Sequence, residues 1–179
     1  LIKAKKELKE ISSIIVTNGP GNFTSIRVGV SFALGIAKGI CVPLYALSSL
    51  ELLSIFNEKN NFFNKKLISV MPSRGNEIFV QEFNDSCLSD SEILKIKNLD
   101  LKKNFSPDKY FISFCSFQKE NLNLFDYDFV EREFEDMSLN LVSKVKKKKI
   151  NLTELKSINY FSEPSLEKVN SSWLMKHKK

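Results

Sequence analysis

The sequence predicts an α/β fold, and three observations point that way. A short apolar run, Ile11 to Val16, leads through a glycine turn into a long apolar segment of helical character. A second strand-length run and a second helix-length segment follow at once. Two more strand-length runs, 66–71 and 77–83, come next. Strand-length and helix-length segments in alternation are the pattern of βαβ units.

The elements follow in chain order. Ile11, Ile14, Ile15 and Val16 are nearly continuous, as in a strand (11–17) buried on both faces. Gly19 and Gly21 flank Pro20, a combination that turns the chain tightly. Asn22 or Thr24 can offer a side-chain oxygen to the first amides of the next helix, and Thr24 is the expected cap. A glycine turn ahead of a helix N-terminus is also a natural anion position, so Gly19, Pro20, Gly21 and Thr24 are candidate phosphate contacts. That signal is weak, because most such turns only connect two elements. A helix over 24–39, a strand over 42–46 and a helix over 48–57 come next, then the strands 66–71 and 77–83. A strand at 109–115 and an amphipathic helix at 135–145, closed by Lys146–Lys149, complete the reading. Residues 84–105 show no clear period and remain unassigned. Asn60 and Asn61 mark the expected boundary between a first unit, 1–62, and a second, 63–179.

Helix 24–39 is apolar nearly all the way round. Ile26, Val30 and Leu34 form one ridge, and Val28, Phe32, Ile36 and Ile40 the next. Ser25, Gly29, Ala33 and Ala37 make a ridge of small residues, continued by Gly35 and Gly39. Only Arg27 and Lys38 are charged. Eleven residues apart, they share a narrow stripe about three turns long. Such a helix is expected to be covered on two sides, with the large ridges on its own sheet and the small ridge against another helix. Ser25, Arg27, Gly29, Phe32, Ala33, Ile36 and Ala37 are the candidate partner-contact residues. The segment is too short, and too closely flanked by charge, for a membrane span.

Composition sets outer bounds. The chain has 179 residues, 42% of them hydrophobic and fifteen of them Phe, enough for a core. Cys41, Cys87 and Cys115 are widely spaced and odd in number, which reads as buried reduced thiols in a cytoplasmic protein. His177 is the single histidine and cannot build a metal site. The sequence holds no H-E-x-x-H, G-x-S-x-G or P-loop pattern. Net charge is +6, concentrated in Lys146–Lys149 and in the tail Lys176 to Lys179. Such runs are most often solvated ends, and no aromatic residue is interleaved with the first to stack on bases.

A longer string is more specific. Gly19-Pro20-Gly21-Asn22-Phe23-Thr24-Ser25-Ile26-Arg27-Val28-Gly29, then Ala33, Gly35, Ala37, Gly39, Pro43, Leu44 and Ser48-Ser49-Leu50-Glu51, resembles the TsaB (YeaZ) family. Its members carry a GPGSFTGLRIG-like stretch, a small-residue helix, an IPL strand and an SSLE helix start in that order. Ser73-Arg74-Gly75-Asn76-Glu77-Ile78-Phe79 resembles the family's DARxGEVY hairpin, with Pro72 in place of its aspartate. The resemblance is dense from about Leu8 to Phe83 and thin beyond, where Ser162-Glu163-Pro164 is weakly similar to a closing EPxYLR segment.

The resemblance implies an actin-like ATPase fold of two RNase H-like lobes, the first incomplete in this chain. It implies a non-catalytic accessory subunit that pairs with a TsaD catalytic subunit and helps recruit the TsaE ATPase. TsaD transfers threonylcarbamoyl to adenosine 37 of tRNA, so tRNA is met only indirectly. A homodimer through the same helix is the alternative assembly. No cofactor is expected on the chain alone, with ATP or ADP at a subunit junction left open. Family members begin earlier, with a strand, a meander and a helix that would take about 40–50 residues. Cover of the outward face of helix 24–39 by that first helix is the alternative to a partner contact. Without those elements the strand at 11–17 is expected to be an exposed apolar edge. Two departures stand out: Ser25 where the family has glycine, and Asn22 where it usually has serine. An actin-like small-molecule kinase, an RNA-binding module acting alone and a non-functional remnant are the rival readings.

Overall fold

A computed structural model of the protein describes residues 7–56, 66–83, 91–115, 128–132, 141 and 152–155, with 111–115 and 128–132 described by backbone alone. Leu8–Glu10 form one 3-10 turn, closed by a reciprocal cap between Glu7 and Glu10. Strand β1 follows at Ile14–Thr17, helix α1 at Phe23–Gly39, strand β2 at Leu44–Leu47 and helix α2 at Ser49–Phe56. β1 and β2 are parallel, with Ile14 opposite Leu44, so α1 is the crossover of a βαβ unit. The far edge of β2 is taken by β8, Thr153–Glu154, which runs antiparallel to it.

The second sheet begins with a hairpin. β3 (Lys66–Pro72) and β4 (Glu77–Phe83) are joined through Ser73–Asn76, where Gly75 takes a φ of +60° that a side chain would disfavour. Ser73 donates its N–H to the Glu77 carbonyl at 2.9 Å and closes the turn. β5 (Leu94–Lys97) extends this sheet on one side. β6 (Tyr110–Cys115) and β7 (Asp128–Arg132), both parallel to β3, extend it on the other, giving the order β5-β4-β3-β6-β7. A single helical turn, α3 (Leu101–Asn104), lies between β5 and β6.

Three apolar clusters hold these layers. Leu50, Leu52, Leu53 and Ile55 of α2 pack with Leu47 of β2 and with Leu67, Met71, Phe79 and Phe83 of the hairpin. The other face of the hairpin carries Ile68, Val70, Ile78 and Val80, covered by Leu101 and Phe105. Leu67 and Met71 face one way and Ile68 and Val70 the other, as the two-residue period of a strand requires. Val30, Ala33 and Ala37 of α1 pack on Leu44 and on Leu155, just after β8.

Several expectations are corrected. β1 starts at Ile14 rather than at residue 11, and all four of its residues are half-buried instead of fully buried. Among the described strands only β2 pairs with it, and a cleft runs along its side chains. The unassigned stretch 84–105 contains β5, a 3-10 turn and α3, each too short to establish a period. β7 and β8 were not anticipated either, since Asp128-Phe129-Val130-Glu131-Arg132 puts charge at both ends of a five-residue strand. Cys41 is exposed, at φ +55° just after α1, so it is no buried thiol. The helix expected at 135–145 falls outside the described residues except at 141, which is helical. Asn60, Asn61, Cys87, Lys146–Lys149, Ser162–Pro164 and His177 also lie outside them.

Candidate functional site

The glycine turn joins the starts of both long helices. Asn18 donates its N–H to the Leu47 carbonyl at 3.1 Å, and Ser49, first residue of α2, donates to the Gly19 carbonyl at 2.8 Å. Gly19 sits at φ +107°, a conformation other residues avoid, and its bond to Pro20 is cis. Beyond the turn Asn22 adopts an extended backbone and caps α1. Its Oδ1 accepts from the Ser25 amide at 3.1 Å and from the Ser25 hydroxyl at 3.2 Å, and its carbonyl accepts from the Ile26 amide at 2.9 Å. Thr24 is therefore not the cap. It already lies inside the helix with its side chain exposed.

A cleft of about 520 Å³ opens beside this turn. Pro20, Gly21, Asn22, Ser25 and Gly29 line it together with Ile15, Leu52 and Met71 among others. The lining is mainly apolar. Of the four candidate phosphate contacts, Pro20 and Gly21 border the cleft; Gly19 and Thr24 do not. Among the described residues, no group of three or more His, Cys, Asp or Glu could hold a metal ion.

The faces of α1 differ from the ridge assignment. Val30, Ala33 and Ala37 are buried, with Ile26 and Leu34 half-buried beside them, so these five residues form the face on the sheet. Val28 and Phe32 point outward at 65% and 71% exposure. Ser25, Gly29, Gly35 and Gly39 are exposed as well, and Ile36 is half-buried. The reason is geometric: four residues overshoot a 3.6-residue turn by about 40°. A line of residues four apart thus winds across the helix, from Ser25 and Gly29 outside to Ala33 and Ala37 inside. Ala33 and Ala37 are consequently core residues of this chain, not partner contacts. Arg27 is exposed and lies over the Phe23 ring, 4.0 Å from its centroid, a cation–π arrangement.

Gly29, Gly35 and Gly39 share one more property. A Cβ built on any of them meets nothing within 4 Å. Glycine inside a helix costs about 1 kcal/mol relative to alanine, and the described packing of this chain requires none of the three. Their face, with Val28 and Phe32 between them, is the largest outward apolar feature of α1.

Residues 1–83 match the family model of TsaD, tRNA N6-adenosine threonylcarbamoyltransferase. The tRNA threonylcarbamoyladenosine biosynthesis protein TsaB of Buchnera aphidicola subsp. Acyrthosiphon pisum is 28% identical over 120 residues, which is 59% of this chain and 52% of that protein. TsaB of Bacillus subtilis is 41% identical over 46 residues, 26% of this chain and 20% of its own length. YeaZ from Pseudomonas aeruginosa superposes with a TM-score of 0.65 at 15% identity, over 90% of this chain and 79% of that one. The chain is TsaB-like.

The structural likeness fixes the fold of this TsaB-like chain as actin-like, built on RNase H-like sheets. The chain spans about half the length of the Buchnera relative and shorter parts of the Bacillus one. The TsaB-like motifs at Gly19–Gly29, Ser48–Glu51 and Ser73–Phe79 all fall within the matched residues 1–83. In the structure they are the turn with the start of α1, the start of α2 and the β3–β4 hairpin. At the second of these, Ser48 Oγ accepts from the Glu51 amide at 3.0 Å, and Glu51 Oε2 accepts from the Ser48 amide at 2.7 Å. This reciprocal cap explains why serine and glutamate stand three residues apart. Val28 of α1 was missed as a surface residue, because an apolar residue in an all-apolar helix carries no local mark of the side it faces; Gly35 and Gly39, read as continuing the ridge toward another helix, are exposed. No helix among the described residues is long and apolar enough to cross a membrane.

Proposed function

We propose that this chain is a non-catalytic accessory subunit in the biosynthesis of threonylcarbamoyladenosine on tRNA. It pairs through the outward face of α1 with a TsaD-like catalytic subunit and assists recruitment of a TsaE-like ATPase. The observation that carries this reading is the outward pair Val28 and Phe32, 65% and 71% exposed on a helix that also bares three glycines. Burying two such side chains is worth about 1.5–3 kcal/mol each, before the costs of association are subtracted. Glycines beside them allow a second helix to come close, which raises the packing gain per contact. Names carried by the relatives support the pathway, and the match of residues 1–83 to the TsaD model supports a related partner fold.

The test is a pull-down of the chain with the TsaD-like subunit of the same organism, repeated with Val28→Asp and Phe32→Asp. Each substitution places a charge on the outward face without touching the core. The expected result is capture by the unaltered chain and a loss of about tenfold or more with either variant. Equal capture by all three would remove α1 from the interface. No capture by any would leave the fold without this function.

A further inference from the structure

We draw no further inference here: the strongest candidate, the largely apolar cleft that runs along β1 beside the glycine turn and is lined by Ile15, Thr17, Ile26, Leu52 and Met71 among others, is an unpartnered apolar face, and nothing in the structure shows what covers it.

Discussion

Asn22 and Thr24 show how far a single residue can be read. Both have the side chain of an N-cap, and both stand where the turn ends. The choice depends on which residue still has extended backbone while its own carbonyl accepts the first helical bond. That is settled by the path of Gly19 to Gly21, which local chemistry does not specify. Asn22 meets the condition, and its Oδ1 takes two hydrogen bonds from Ser25. Ser25, a departure from the family's glycine, is thereby tied to Asn22, the other departure. The two substitutions make one contact. Asn22→Ala is expected to lower stability by about 1 kcal/mol and Thr24→Ala to change it far less, as chemical denaturation of both variants would report. Equal losses would return the cap to Thr24.

At the scale of the element, α1 was legible in existence, length and start, and illegible in orientation. Hydrophobic periodicity works by contrast, and a helix with apolar residues on every side offers little. The sheet chose Val30, Ala33 and Ala37, leaving Val28 and Phe32 outside. Elements with contrast were read correctly, as at β4, where Glu77–Phe83 was expected residue for residue. Short elements without it, β5, β7 and β8, were not. The exposed glycines give this scale its prediction. Gly35→Ala adds a methyl group into open space, so the isolated chain should gain about 1 kcal/mol, or about 2–4 °C in Tm. The same methyl group should weaken pairing with a TsaD-like subunit. A variant both more stable and equally competent in pairing would show that no second helix comes close at that point.

Across the whole molecule the decisive packing is that of α2. The sequence suggested two units divided between 62 and 63, on the C-terminal side of this helix. Yet Leu50, Leu53 and Ile55 lie in one cluster with Leu47 of the first sheet and with Leu67, Met71, Phe79 and Phe83 of the second. Asparagines in the connection were legible as a break in the apolar pattern. The side on which the helix would spend its apolar surface was not, because a pattern gives a face and never a neighbour. Leu53 is fully buried in this shared cluster. Leu53→Ala should cost about 2–5 kcal/mol, a large part of the stability of a domain this size. Hydrogen exchange should then show the β1–β2 and β3–β4 amides losing protection together. Loss confined to one sheet would mean that the two open independently.

The short strand β8 carries a different kind of consequence. Thr153 and Glu154 pair with Ala46 and Tyr45, and Leu155, buried at 7% exposure, seals the underside of α1. The sheet of β1 and β2 therefore includes residues far along the chain from them. During synthesis, β1, α1 and β2 emerge from the ribosome long before their last neighbour exists. Until residue 155 is free, that half of the molecule must wait with one flank of β2 unpaired and the inner face of α1 only partly covered. Long-range closure of this sort slows folding and leaves a window for aggregation. A nascent chain stalled before Thr153 should be a better client for a chaperone than one stalled after Leu155.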